Sequence, residues 1–182
     1  MSPDFTIITP SIQLKLIPLS EAEIFTLGIK QSPSLHQWLD WTDSDFTMTD
    51  GQEFLTATRL SWIKAQAYGF GIYQRQTEQL VGMVAINEFS PTFNQASIGY
   101  WIFDRFQRQG FALKGVDALI EFAFDKLLLT RLELVCDPNN VSSQRFAERC
   151  GATFEAKARN RFIYNGKPKE GLVYSIIPDD KK

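Results

Sequence analysis

The sequence is short of the residues that most often advertise a function. It has two cysteines, Cys136 and Cys150, and one histidine, His36. Two separated thiols form no disulfide framework, and with a single imidazole they make no zinc set. No metal site is expected. No stretch of about 18 apolar residues occurs, so no transmembrane helix is expected. The first residues lack a basic region followed by an apolar core, so no secretory signal is expected either. Free thiols then fit a reducing cytoplasm. Charge of one sign is also lacking: the net charge is -2 over 182 residues. No direct nucleic-acid or membrane partner is expected from that balance. There is no G-x-G-x-x-G turn and no G-K-[ST], so neither dinucleotide loop nor triphosphate loop is present.

Apolar side chains are plentiful: 44% of the residues, with 15 Phe and 4 Trp. That supports one sizeable core, and the length suits one domain. The chain is centred on residues 97–129. An apolar run, Ile98-Gly99-Tyr100-Trp101-Ile102-Phe103, leads into a polar knot, Asp104 to Ala112. Apolar residues then recur at helical spacing through Leu113, Val116, Leu119, Ile120, Ala123, Phe124 and Leu127. The reading is strand, turn, helix. A helix start presents unpaired N–H groups and a positive dipole end. Gly110 and Ala112 let a ligand approach that backbone, and Arg105 and Arg108 sit beside it. Together they form a candidate seat for a phosphate or pyrophosphate.

Around this centre the expected elements run in order. A strand occupies residues 6–17 and Pro18 ends it. A capping box at Ser20 and Glu23 opens a helix to Lys30 that turns Ile24, Phe25, Leu27 and Ile29 inward. Ser32 caps a short turn of helix with Pro33 in its first turn. Thr49, paired with Gln52, caps a longer helix to Ala67, with Phe54, Leu55, Leu60 and Ile63 inward and Trp62 aside. Gly69 ends that helix. Three antiparallel strands follow: Phe70–Gln74, Leu80–Ile86 and Gln95–Phe103. After the central helix, Leu132–Cys136 should run parallel to the third of these, because a helix joins the two. A helix opening at Ser142 or Ser143 ends at Gly151. A strand from Ala152, with Phe154 inward, leads to an Asn165-Gly166 hairpin and a last strand, Leu172–Ile177.

Gln107-Arg108-Gln109-Gly110-Phe111-Ala112 resembles the Q/R-x-x-G-x-G/A pyrophosphate loop of the GNAT acetyltransferases. The preceding Ile98–Ile102 strand resembles that of the RimJ/RimL-like branch. So do Leu35-x-x-Trp38-Leu39-x-Trp41, Asn140-x-x-Ser143 and the final Tyr164-x-Gly166-Lys167 to Tyr174-Ser175 stretch. Lys15, Ala22, Ala152 and Glu170-Gly171 depart from the usual residues of the branch. The resemblance spans about residues 6–177 of one domain, 1–182. It implies an α/β, GNAT-like (acyl-CoA N-acyltransferase) fold. The sheet would be mixed, mostly antiparallel and twisted, with a splay between its two central parallel strands and helices on both faces.

It also implies an enzyme that moves the acetyl group of acetyl-CoA directly to an amine acceptor. The acceptor would be a protein N-terminus, such as that of a ribosomal protein, or a small amine. A non-enzymatic acyl-CoA sensor is the alternative. Trp101, Ile102, Phe103, Arg105, Gln107, Arg108, Gln109, Gly110, Phe111, Ala112, Asn140 and Ser143 would hold the cofactor. The N–H of Ile102 or Phe103 would receive the oxyanion, Ser143 would assist thiolate departure, and Glu88 would be the base. Trp38, Trp41, Asp43, Glu88 and Tyr164 would meet the acceptor. Cys136 lies near the expected splay, where a Cys-acyl intermediate is a minor alternative. Monomer and homodimer are both compatible with the resemblance.

Overall fold

The structure is a computed structural model, described here for residues 2–181. Eight strands make one sheet: β1 (Ile7–Ile8), β2 (Ile12–Lys15), β3 (Tyr68–Gln74), β4 (Leu80–Ser90), β5 (Gln95–Ile102), β6 (Arg131–Cys136), β7 (Thr153–Tyr164) and β8 (Lys167–Ile176). Their spatial order is β1-β2-β3-β4-β5-β6-β8-β7. The helices are α1 (Ala22–Lys30), α2 (Pro33–His36), α3 (Met48–Ile63), α4 (Phe111–Asp125) and α5 (Val141–Arg149).

The expected first strand is two strands. Pro10 cannot donate to a ladder, and the chain folds back so that Ile7 faces Leu14. The meander β3-β4-β5 is antiparallel, joined by short turns. Helix α4 then carries the chain across to β6, which runs parallel to β5. That pairing lasts only from Gln95↔Arg131 to Ser97↔Glu133. Beyond it, Ile98–Ile102 pair with β4 alone and Leu134–Cys136 with β8 alone. The sheet therefore opens between its two parallel strands.

Both faces of the sheet are covered. On one, Val116, Leu119, Ile120 and Ala123 of α4 and Ala147 of α5 are buried with Ile72, Val84 and Leu134. On the other, Phe25 and Ile29 of α1 and Leu55 of α3 are buried with Tyr73, Trp101 and Phe103. Alternation along β5 sends Ile98 and Ile102 to the first core and Trp101 to the second. Each buried side chain of this size contributes roughly 1.5–3 kcal/mol.

Several local expectations give way to tertiary contacts. Helix α3 starts two residues early, at a Thr47–Asp50 capping box: Asp50 N–H donates to Thr47 Oγ1 at 3.2 Å and Thr47 N–H to Asp50 Oδ2 at 2.7 Å. Trp62 is fully buried, whereas Leu60 and Ile63 are exposed. Its indole donates to Gly69 O at 2.8 Å, and Gly69 lies within β3 instead of closing the helix. Ser20 caps nothing, because residues 19–21 form a 3-10 turn before α1. Ile24 and Leu27 face outward on α1, and Phe154 is exposed on β7. Ser32 stands at the start of α2 without capping it; its hydroxyl donates to Gly28 O at 2.7 Å and accepts from Asp104 N–H at 3.0 Å.

Candidate active site

The opening between β5 and β6 belongs to a cavity of about 1390 Å³. One end is bordered by the start of α4, the other by residues 37–41, Glu88 and the β7–β8 hairpin.

The α4 end is a backbone site. Arg108 and Gly110 both have positive φ, 61° and 81°. This left-handed pair turns successive N–H groups toward one point. Gly110 stands at the N-cap and supplies no side-chain cap. Among the described residues, no partner takes the N–H groups of Arg108, Gln109, Gly110, Phe111, Ala112 or Leu113. Unpaired donors around a positive dipole end fit a diphosphate. Gln107, by contrast, turns its amide inward, donating to Ile102 O at 3.2 Å, Ser34 Oγ at 2.8 Å and Asp104 Oδ1 at 3.0 Å. Asp104 also accepts from the Ser34 N–H and hydroxyl, so this knot ties α2 to the turn. Arg105 lies over the Phe106 ring and borders a separate, smaller cavity with Ile24 and Leu27. The Gln109 side chain donates to Arg105 O at 3.2 Å and does not line the main cavity.

The slot itself offers a second donor set. Phe103 N–H donates to Val81 O at 3.0 Å. That bond removes Phe103 from the oxyanion expectation and fixes the phase of the ladder. In an antiparallel pair the bonded positions alternate, so the N–H groups of Tyr100 and Ile102 point away from β4, toward the opening. Trp101 lines the cavity but is rooted in the second core, and Phe103 is buried there without reaching the cavity.

Tyr100, Ser143 and Cys136 meet across the opening. Tyr100 OH is 3.1 Å from Ser143 Oγ, and Cys136 Sγ donates to the same oxygen at 3.3 Å. The Tyr100 ring packs against Phe146 of α5, tilted by 31° with centroids 4.0 Å apart. Burial pushes the Tyr100 phenol well above its ordinary range, so it stays protonated at neutral pH. Burial likewise raises the Cys136 thiol, against the lowering effect of its Ser143 contact, which leaves a poor nucleophile. Asn140, not either serine, caps α5: its Oδ1 accepts from Ser143 N–H at 3.0 Å. Sequence patterning does not mark Tyr100 as a site residue. Its partners lie on other elements, and period two marks it only as a strand residue.

At the far end, Glu88 sits in a bulge of β4 with φ 49°. Its carboxylate is paired with Arg161 of β7 at 3.0 Å. Arg161 also binds Glu133 at 2.8 Å, and Arg131 joins Glu133 to Glu155. Burial pushes the Glu133 carboxyl up, but hydrogen bonds from Arg161 and Arg131 outweigh it and hold the group below its ordinary value. Trp38 lines the cavity. Trp41 lines it too, stacked on Phe54 at 4.4 Å. Tyr164 lines it while its OH donates to Gln37 O at 2.9 Å, and Asn165 N–H donates to Asp40 Oδ2 at 3.1 Å. Asp43 does not line the cavity; its Oδ1 accepts from Asp45 N–H at 2.8 Å. His36 is occupied at Ile29 O, 3.1 Å away. No group of three or more potential metal ligands occurs among the described residues.

A parallel strand pair that opens into a slot, with an uncapped helix start at its end, has the shape and the donors to receive an extended thioester carrying a diphosphate. That is the geometry an acyl-CoA-dependent acyltransferase requires. The family model described as "Acetyltransferase (GNAT) domain" matches residues 13–153, and the chain belongs to that family. A solved structure described as a "putative ribosomal-protein-serine acetyltransferase from Vibrio cholerae" is 57% identical, with a TM-score of 0.91, covering 98% of this chain and 100% of that one. The "Ribosomal-protein-serine acetyltransferase" of Escherichia coli is 23% identical over 175 residues, 96% of this chain and 97% of the relative. The fold is shared with a microcin C7 self-immunity acetyltransferase solved with acetyl-CoA and AMP, 24% identical, TM-score 0.84, covering 97% of each chain. The protein is an acetyl-CoA-dependent N-acetyltransferase of the RimJ/RimL-like branch. No helix among the described residues is long and apolar enough to cross a membrane.

Proposed function

We propose that the acceptor is the N-terminal amine of a protein, a ribosomal protein in the first instance, and that the whole chain acts as one catalytic domain. The observation that carries this is the size and reach of the cavity. At about 1390 Å³ it exceeds the roughly 300–1,000 Å³ of a one-ligand pocket, which leaves room for an acceptor, a chain segment included, beside the cofactor. The description of the 57% identical Vibrio cholerae protein points the same way.

In this reading the N–H groups from Arg108 to Leu113 take the diphosphate. Asn140 Nδ2 faces the arm of the cofactor. Ile102 N–H receives the carbonyl oxygen as negative charge develops on it, a contribution of about 3 kcal/mol for one well-aimed donor. Glu88 takes the proton of the attacking amine, directly or through water, while Arg161 fixes its position. Ser143, held by its contact with Tyr100 OH, donates a hydrogen bond to the departing sulfur, which leaves as the thiolate while the amine proton goes to Glu88. The amine attacks the carbonyl directly, without an acyl-enzyme; the raised Cys136 thiol agrees with that. Trp38 and Trp41 wall the acceptor path.

The test is turnover with acetyl-CoA and a panel of acceptors: short peptides beginning with Ser, Ala or Met, the same peptides with blocked N-termini, and small amines. Free N-terminal peptides should exceed small amines in kcat/KM by about ten-fold or more, which is ~1.4 kcal/mol. Equal turnover of blocked peptides, or preference for a small amine, would overturn the reading.

A further inference from the structure

Some cations around the sheet and its edges are paired. Arg131, Arg161, Lys157 and Lys181 each bind a carboxylate. Arg145 and Arg149 of α5 differ. Both are exposed, both line the main cavity, and neither forms an ion pair among the described residues. They stand four residues apart on the helix face that also carries Phe146, whose ring rests on Tyr100. Like charges at this spacing destabilise a helix by about 0.2–0.5 kcal/mol. With Arg108 they are the arginines bordering the cavity apart from Arg161, which is held by Glu88 and Glu133. The cavity's acidic residues do not answer them: Glu88 is paired with Arg161, and Asp137 Oδ1 accepts from Asn139 N–H. Two unanswered guanidiniums on the wall facing the start of α4 call for a dianion.

The diphosphate does not need them, because the turn before α4 supplies backbone donors for it. Coenzyme A has a second phosphate, on the 3′ carbon of its ribose, linked to the diphosphate through a few bonds. We propose that Arg145 and Arg149 form the subsite for this 3′-phosphate. The placement rests on the reading that the α4 turn holds the diphosphate. From there, with the arm running into the slot past Asn140, the ribose is left at the outer part of the cavity along α5. Guanidinium forks suit phosphate oxygens and keep their charge at every working pH.

Calorimetry with coenzyme A and with 3′-dephospho-coenzyme A tests the assignment without any mutation. The protein should bind the complete coenzyme at least about ten-fold more tightly at 0.1 M salt. The Arg145→Gln/Arg149→Gln double variant should lose that preference, by weakening toward coenzyme A while keeping its affinity for the dephospho form within about two-fold. The two single variants should each lose part of it. Equal affinity of the unaltered protein for both ligands, or a preference that survives the double variant, overturns the subsite and leaves the diphosphate seat intact. Failure to bind either ligand overturns the diphosphate seat and the subsite with it.

Discussion

The two ends of the cavity are made of different material. At the α4 end the donors are peptide N–H groups, set by two left-handed residues and an uncapped helix start. At the far end the groups are side chains, brought from residues 37–41, a bulge in β4 and the β7–β8 hairpin. A backbone seat tolerates change in most side chains that surround it. A side-chain wall changes with every substitution. The β7–β8 hairpin supplies Arg161 and Tyr164 to that wall.

The sharpest way to break this contrast is to disturb the backbone of the seat. A Cβ at Gly82 would stand 2.3 Å from Trp101 O and 2.8 Å from Ile102 Cα. Gly82→Ala should push β5 away at the Ile102 donor and lower kcat by roughly 10²–10³-fold, the cost of losing one oxyanion donor. Thermal unfolding should show a loss of about 1–3 kcal/mol. Unchanged turnover would mean that Ile102 N–H does not meet the oxyanion.

Ser143→Ala comes next, because it tests the one catalytic side chain assigned to the cofactor end. It should lower kcat by roughly 10²-fold and change the KM for acetyl-CoA by less than about three-fold. A loss confined to KM would make Ser143 a binding group only. Glu88→Gln probes the acceptor end and should lower kcat by about ten-fold or more. It should also flatten the acidic limb of the pH–rate profile, and a profile with both limbs intact would remove Glu88 from proton transfer.

The smallest effect belongs to the ion network behind that wall. Hydrogen bonds from Arg131, and then from Ser175, hold the Glu155 carboxyl at about 2. A carboxyl lowered in the folded state adds stability above its unfolded pKa, near 4.3. That stability is lost as pH falls from there toward 2. Glu155 is partly exposed, with 40% of its side chain accessible, so solvent screening limits the effect to about 0.5 kcal/mol. Glu155→Gln should remove that much of the difference between denaturant midpoints at pH 6 and pH 3. An unaltered difference would show that Glu155 does not carry it.

Legibility from sequence divided along the same line. The strand, turn and helix of residues 95–125 were readable because their signals are local: an apolar run, a glycine, then a 3.6-residue period. The parallel pairing of β5 and β6 followed from the crossover. The α3 start is ambiguous in sequence, because Thr49 with Gln52 and Thr47 with Asp50 carry equivalent local signals. The helical stripe favours Leu60 and Ile63 over Trp62, whose indole meets Gly69 O on another element. The Tyr100–Ser143 contact joins residues 43 apart in sequence, and the Glu88–Arg161 pair joins residues 73 apart. No periodicity reports contacts of that range.

The hairpin tip is fastened to the opposite rim by Tyr164 at Gln37 and Asn165 at Asp40. Those two ties turn an open trough into a hoop. A hoop admits what can be threaded end first, and a loop anchored at both ends on a folded surface cannot be threaded. Under the function proposed above, such a hoop would select a loose chain terminus before any side chain met the residue that bears it.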